Sequence, residues 1–167
     1  MGLQKVSSTT VTTSTAQVIL TGINTDDVYL FAWSGVTCSN DVDTNQIRVT
    51  KSGTAQSDSE YDRVEKQYFA GSSFVNGYAV NQTSIFTLYQ GTGQNESQNG
   101  LIYLHDFNSG TDYSYMTREQ VSNSYVPQLQ GFAGGAVHTV ASASDGIEYK
   151  MSVGTLQSGT FTLYRCL

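Results

Sequence analysis

Residues 147–153 read Ile-Glu-Tyr-Lys-Met-Ser-Val, so that apolar and polar side chains alternate without a break. An alternation of period two is typical of a β-strand that turns one face to a core and the other to water. The same pattern recurs in short runs from residue 17 to residue 166, separated by glycine, asparagine, aspartate and serine. About ten such runs predict an all-β domain, built as an antiparallel sandwich or barrel.

Two of the turns between these runs have hairpin signatures. Ser144-Asp145-Gly146 lies between the alternating runs 136–143 and 147–153, and Asn108-Ser109-Gly110 lies between two similar runs. Aspartate, asparagine and glycine favour tight turns because they tolerate the left-handed backbone conformations that such turns need. Each turn is therefore predicted to join two strands in a β-hairpin.

The composition favours a single all-β domain. The chain has 167 residues, of which 38% are hydrophobic and 13% are charged, and that charged share is about half of the usual one. Tyrosine and phenylalanine, with 11 and 7 residues, are residues that strands favour. We expect one domain over residues 17–167, preceded by a Ser/Thr-rich segment at 1–16 that forms an arm or an edge strand.

The charge balance argues against nucleic acid and membrane partners. The net charge is −6, and the eight lysines and arginines are scattered, whereas nucleic-acid-binding proteins cluster their basic residues. No apolar run approaches the roughly 18 residues of a membrane span. Residues 1–17 lack the apolar core of a secretory signal, which predicts synthesis in the cytoplasm.

Residues that could carry catalysis are few. His105 and Asp106 are adjacent in a strand, so their side chains point to opposite faces. Neither His105 nor His138 lies in a hydrolase or metalloprotease motif. Cys38 and Cys166 lack the spacing of a metal-binding pair and are expected to be two buried free thiols. We therefore expect no enzymatic activity, no cofactor and no catalytic metal.

One short segment has the spacing of a cation ligand set. Asp41, Asp43 and Asn45 place oxygen atoms at alternate positions, which suits Ca²⁺. An EF-hand loop would have glycine and glutamate where this chain has Gln46 and Ser52. A solvated acidic turn is the alternative, and the sequence leaves the two open.

Aromatic residues are the remaining candidates for function. Both faces of the run 28–33 are apolar, so it is expected to be covered on both sides or to have one face in an interface. Trp33, Tyr113, Tyr115 and Tyr125 could form an exposed platform that docks a protein or stacks on a sugar, since aromatic side chains are enriched in interface cores. Packing inside the sandwich is the alternative for these four residues.

The order of several short segments resembles one family of proteins. From the N-terminus they are Asp27-Val-Tyr-Leu-Phe31, Asn45-Gln-Ile-Arg-Val49, Leu101-Ile-Tyr-Leu-His-Asp-Phe-Asn108 with Ser109-Gly110-Thr111, Tyr113-Ser-Tyr115, the glycine-rich Gly131–Gly135, Gly146-Ile147 and Ser158-Gly-Thr-Phe-Thr-Leu-Tyr164. Their order over residues 17–167 is similar to that in small virion structural proteins of tailed phages, in particular cyanophages. The last strand ends in Tyr164-Arg165, whereas the family typically has Tyr-Gly there.

The resemblance implies a jelly-roll β-sandwich that forms a homotrimer on the outside of a phage particle. As a capsid decoration (cement) protein, the trimer would bind the outer surface of the major capsid protein and stabilise the shell. It would bury the face of Tyr29, Phe31 and Trp33, which a single sandwich would leave exposed. Tyr113, Tyr115 and Tyr125 are the other interface candidates. The alternative is a receptor-binding domain of a tail or head fibre that recognises host glycans.

Overall fold

The computed structural model describes residues 2–71, 74–123 and 128–167. The regular secondary structure of these residues consists of β-strands, which confirms the prediction of an all-β protein. The strands are β1 (Leu3–Val11), β2 (Gln17–Thr21), β3 (Tyr29–Cys38), β4 (Asp43–Lys51), β5 (Thr54–Ala55), β6 (Tyr61–Phe69), β7 (Val75–Gln82), β8 (Ile85–Gln90), β9 (Gln98–His105), β10 (Ser114–Asn123), β11 (Leu129–His138), β12 (Gly146–Met151) and β13 (Leu156–Cys166). The described residues include no helix that is long and apolar enough to cross a membrane.

The strands form two antiparallel sheets. The larger sheet has the order β1-β13-β3-β9-β10-β11-β6-β7. The smaller sheet has the order β2-β12-β4-β5, and β8 also pairs with β4. Side chains of the smaller sheet contact one face of the larger sheet, while the other face of β9, β10, β11, β6 and β7 carries exposed side chains.

Aromatic side chains fill the space between the sheets. The rings of Trp33 and Tyr149 have centroids 5.5 Å apart, and those of Tyr149 and Phe161 are 5.0 Å apart. These pairs join β3, β12 and β13, so they link the two sheets directly. Burying rings of this size supplies much of the hydrophobic free energy of a small sandwich.

The expectation that a single sandwich leaves the face of Tyr29, Phe31 and Trp33 exposed is wrong. Tyr29 and Phe31 have no exposed surface, and Trp33 is 3% exposed. The physical reason is that β3 lies in the middle of the larger sheet and turns this face toward the smaller sheet, where Phe31 packs against Tyr149. These residues stabilise the monomer and have almost no surface for a partner to contact.

One of the two predicted hairpins forms. β9 and β10 pair directly around Asn108-Ser109-Gly110. The chain around Asp145 instead crosses between the sheets, because β11 belongs to the larger sheet and β12 to the smaller. There the Asp145 carboxylate accepts hydrogen bonds from the Thr50 hydroxyl (2.6 Å) and the Gly53 amide (2.9 Å), so this turn is held by β4 rather than by a hairpin partner.

The Ser/Thr-rich N-terminal segment is an edge strand over Leu3–Val11. β1 pairs with β13 along the border of the larger sheet. Its hydroxyls add bonds of their own, since Ser8 donates to the carbonyl of Phe161 at 3.1 Å. β1 also carries Lys5 and a register irregularity between Lys5 and Ser7, and charges and bulges are features that keep an edge strand from pairing with another chain.

A buried ion pair lies beneath the part of the larger sheet formed by β10, β11 and β6. Arg118 on β10 and Glu65 on β6 are both buried and are joined by an Nη2–Oε2 distance of 2.8 Å. Arg63 also contacts the Glu65 carboxylate. Burial and the neighbouring Arg63 charge lower the pKa of the Arg118 guanidinium to about 9. Phe132 lies under the Arg118 guanidinium, 4.8 Å from ring centroid to Cζ.

Candidate functional site

The acidic segment predicted as a possible cation site is used for hydrogen bonding. Asp43 is buried, and its carboxylate accepts hydrogen bonds from the Thr44 amide (2.7 Å), the Gly154 amide (2.8 Å) and the Ser152 hydroxyl. These bonds fasten the start of β4 to the chain between β12 and β13. Among the described residues, no group of three or more histidine, cysteine, aspartate or glutamate side chains could hold a metal ion.

Asn45 belongs to a buried polar cluster in the core. Its amide donates to Gln98 and to the hydroxyl of Tyr149. Gln98 in turn donates to the carbonyl of Leu88 at 2.8 Å, so β4, β8, β9 and β12 meet at this cluster. The cluster positions the strands and is closed to solvent.

The two histidines lie on opposite faces of the larger sheet. His138 is buried, with its ring 4.8 Å from that of Tyr61 and its Nε2 3.4 Å from a Glu60 carboxylate oxygen. Burial and the nearby Lys51 charge lower the pKa of His138, and Glu60 acts in the opposite sense. His105 lies opposite Tyr115 on the other face. The structure therefore does not bring the histidines together.

The cysteines are both free. Burial and the Asp43 carboxylate raise the pKa of the Cys38 thiol to about 11, and the thiol donates to the carbonyl of Asn40 at 3.1 Å. Cys166 is half-buried near the end of β13. A thiol with a raised pKa is a weak nucleophile, so these positions favour a structural role.

An exposed sheet face is the feature that best fits an interaction site. We call it the outer face, meaning the side of β9, β10, β11, β6 and β7 that points away from the smaller sheet. Along β10 burial alternates strictly, with Met116 and Arg118 buried and Tyr115, Thr117 and Glu119 exposed. The outer face is therefore open to solvent on at least one strand for its whole length.

Large apolar side chains occur on and beside this face. Tyr78 is 79% exposed, Val64 is 64% exposed and Tyr115 is 47% exposed. Further exposed members are Tyr68, Phe74, Val80 and Val121. Contiguous apolar surface of this kind is uncommon on monomeric proteins and marks a binding surface or an aggregation hazard.

Two grooves follow the glycine-rich strand β11 across the outer face. One has a volume of about 510 Å³ and is lined by Val64, Tyr78 and Tyr115 among others. The second, of about 570 Å³, is lined by Tyr68, Leu101, Val121 and neighbouring residues. Gly131, Ala133 and Gly135 point outward from β11, and because their side chains are so small they form the floor of both grooves.

Two opposite charges flank the centre of this floor. Lys66 on β6 and Glu119 on β10 both lie opposite Ala133 on β11, one on each side. Lys66 is exposed and its ammonium group lies 5.4 Å from the centroid of the Phe74 ring. Neither Lys66 nor Glu119 has an ion-pair partner among the residues that the structure describes.

The edge strand of the outer face, β7, carries no charged residue that would hinder pairing with another chain. β7 reads Val-Asn-Gly-Tyr-Ala-Val-Asn-Gln and ends the larger sheet. Edge strands usually carry charges, proline or bulges that prevent pairing with another chain. This strand has one register irregularity, between Tyr61 and Arg63 of its neighbour, but no charge and no proline.

The aromatic candidates from the sequence fall into three groups. Tyr115 lines a groove of the outer face, and Tyr113, 43% exposed, lies two residues before it. Trp33 is in the core with Tyr29 and Phe31. Tyr125 lies outside the described residues.

Val64, Tyr68 and Tyr78 were missed by sequence reasoning. The period-two alternation of 61–70 already placed Val64, Lys66 and Tyr68 on one face, which was the available signal. Tyr78 belongs to a strand that no strong alternation marks, because the less exposed residues of β7, Gly77 and Ala79, are small.

No family model, curated protein or solved structure matches this chain. Its likeness to phage virion proteins therefore stays a resemblance carried by the short segments quoted above.

Proposed function

We propose that this protein is a structural component of a virus particle, a capsid decoration protein that binds through surface complementarity and performs no chemistry. The observation that carries the proposal is the outer face, which exposes Val64, Tyr78 and Tyr115 beside the small residues of β11. A component of an assembled particle needs contact area of this kind, whether it meets the shell or further copies of itself.

The strand order supports the finer assignment of a jelly roll. Strands β1, β3, β9 and β13 are neighbours in the larger sheet, and β2, β4, β8 and β12 are neighbours in the smaller one. Successive members of this set cross repeatedly between the sheets, as in a double Greek key. On this interpretation β6, β7, β10 and β11 are insertions that widen one sheet and carry most of the outer face.

The partners follow from the resemblance. We propose that the major capsid protein is the shell partner and that the chain assembles as a homotrimer on the outer capsid surface. The net charge of −6 suits a shell surface with basic side chains, because charge complementarity speeds association and selects the partner.

The copy number of the chain in purified particles tests the proposal. Quantitative mass spectrometry against the most abundant shell protein should give one copy for each one to few shell subunits. A value of a few copies per hundred shell subunits would contradict decoration and favour a fibre component. Absence from the particles would overturn both interpretations.

A receptor-binding domain of a tail or head fibre is the second candidate. It is favoured by the exposure of Tyr113 and Tyr115, since tyrosine rings stack on the apolar faces of sugars. Binding to host surface polysaccharide, measured for the wild type and for Tyr113→Ala with Tyr115→Ala, distinguishes this function. Glycan binding that the double substitution abolishes would support it.

A further inference from the structure

We propose that the outer face packs against the outer face of a second copy of this chain, about a two-fold axis that runs along β11. The contact is independent of whether the protein belongs to a virus particle. It would double whatever assembly the chain otherwise forms, from monomer to dimer or from trimer to hexamer. The argument rests on the register of the strands and on which side chains that register places together.

The charges in the central row of the outer face complement each other. Across the sheet the row reads Asn76, Lys66, Ala133, Glu119 and Leu101. A two-fold axis along β11, midway between two stacked sheets, keeps each position along the strand and exchanges the two sides of β11. Lys66 of each copy then faces Glu119 of the other, so two ion pairs form from charges that have no ion-pair partner among the described residues of the monomer.

The floor of the grooves lets the two copies approach closely. Gly131, Ala133 and Gly135 lie on the axis and would face their own counterparts. Stacked sheets normally lie about 10 Å apart because side chains interdigitate between them. Because the residues on the axis are small, the larger side chains of β6 and β10 in each copy can enter the grooves of the other copy.

The row next to the central one pairs aromatic side chains across the proposed contact. Tyr78, Val64, Gly135, Thr117 and Tyr103 form one row, so that Tyr78 of each copy faces Tyr103 of the other. Aromatic pairs of this kind stabilise interfaces beyond the area they bury.

A third row gives a further apolar pair. Tyr68, Gly131 and Val121 are aligned across β6, β11 and β10. The same axis places Tyr68 of each copy against Val121 of the other. In these rows large apolar side chains meet apolar partners and Lys66 meets Glu119. In the row of Asp62, Val137 and Tyr115, the Asp62 side chain of each copy faces Tyr115 of the other.

The twist of the sheets leaves the central pairs intact. Packed sheets cross at about 30°, which displaces positions one strand from the axis by about 2–3 Å. Lysine and glutamate have long flexible side chains that accommodate this displacement. The ion pairs between Lys66 and Glu119 therefore still form when the sheets cross, so reversing either charge tests the contact.

The overlap is large enough for a stable pair. Five strands of each copy overlap, which corresponds to a patch about 24 Å wide and about 24 Å long. That patch buries about 1,200 Å² in total, at the lower end of the range for specific protein–protein interfaces. A second copy of the chain therefore buries enough area for a specific interface without any further partner.

Charge reversal provides the test. We would measure the mass and the dissociation constant of the full chain by analytical ultracentrifugation, for the wild type, Lys66→Glu, Glu119→Lys and the double variant Lys66→Glu with Glu119→Lys. Each single reversal places like charges opposite each other twice in the pair. The single variants should weaken the pairing about tenfold or more, and the double variant should restore it because both ion pairs are regenerated.

Matched controls separate this contact from general charge effects. Lys5→Glu changes a charge on β1 of the same sheet, beyond the overlap, and Asp41→Lys changes an exposed charge between β3 and β4. Both controls should leave the dissociation constant unchanged. The unfolding midpoint of every variant, measured in urea, shows that it is folded.

Three outcomes overturn the proposal. The first is a wild type that does not associate in even multiples, the second is single reversals that leave the dissociation constant unchanged, and the third is a double variant that does not regain the affinity that the single variants lose. Copy number in particles does not enter this test, so its failure and that of the proposed function are distinguishable.

Discussion

Arg118 reaches Glu65 across an intervening strand, with an Nη2–Oε2 distance of 2.8 Å, because the residue between them is Gly134. A Cβ on Gly134 would lie 2.3 Å from the carbonyl oxygen of Val64, so no side chain fits there. On the far side, Gly77 leaves room for the Glu65 carboxylate. Two glycines thus create the space for a buried ion pair beneath the outer face.

Removing one member of this pair should destabilise the fold strongly. Glu65→Gln leaves the Arg118 charge buried without a counter-charge, which costs about 3–5 kcal/mol of unfolding free energy. Urea denaturation measures the change, and Asp41→Asn at an exposed position serves as the control, with a change of at most about 0.5 kcal/mol.

The triple variant Arg63→Met, Glu65→Leu and Arg118→Met should recover most of that loss. Arg63 is included because it also contacts the Glu65 carboxylate, and apolar side chains of similar volume avoid the desolvation cost of all three charges. A triple variant as unstable as Glu65→Gln would contradict this account of the buried charges.

Adding a side chain at Gly134 should destabilise the fold, because β11 lies too close to β6 there to leave room for one. Gly134→Ala forces a shift of β11 against β6 and is expected to cost about 1–3 kcal/mol. Gly110→Ala is the matched control, since a Cβ there has no neighbour within 4 Å. Equal unfolding midpoints for the two variants would show that β11 tolerates the added methyl group.

The stability of the protein should decrease as the pH falls below about 6.5. Burial lowers the pKa of His138 in the folded state from its ordinary value of 6.5, so the unfolded chain binds a proton more readily. The stabilisation is complete above pH 6.5 and is lost as the pH falls toward the lowered pKa of the folded state.

The His138→Phe variant identifies the source of this pH dependence. Phenylalanine keeps a ring against Tyr61 but does not titrate, so the loss of stability near pH 6 should become smaller. His105→Gln, on the opposite face, should follow the wild type. Thermal unfolding from pH 5 to pH 8 compares the three proteins, and identical curves would exclude His138 as the cause.

The two thiols should react at different rates. The pKa of Cys38, about 11, leaves little thiolate at pH 8, and the thiol is buried. Cys166 is half-buried, so it should react first with a disulfide reagent. Mass spectrometry of the partly labelled native protein locates the modified thiol, and equal labelling of both would contradict the burial of Cys38.

The alternation of side chains was enough to predict strands, but not which strands pair. The run 147–153 predicted a strand, and β12 forms over Gly146–Met151, but its polar face does not turn to water, because Glu148 is buried and pairs with Arg48. The predicted hairpin with β11 did not form, because Asp145 bonds to Thr50 and Gly53 on a different sheet. Turn chemistry is local, whereas pairing depends on residues far away in the chain.

The positions of the aromatic candidates also could not be predicted from local sequence. The run of Phe31 has two apolar faces and the run of Tyr115 has one, but both patterns left packing in the core and contact with a partner open. The structure buries Phe31 against Tyr149 and exposes Tyr115, because the smaller sheet covers β3 but not the outer side of β10.

The sequence by itself determined that the chain forms antiparallel β-structure, since period-two alternation and turn residues are properties of neighbouring positions. It also placed Val64, Lys66 and Tyr68 on one face. Only the tertiary structure decided that Lys66 and Glu119 flank the same small residue on β11, more than 50 residues apart along the chain. The physical reason is that a sheet face is assembled from strands distant in sequence, and their order follows from the packing of the whole domain.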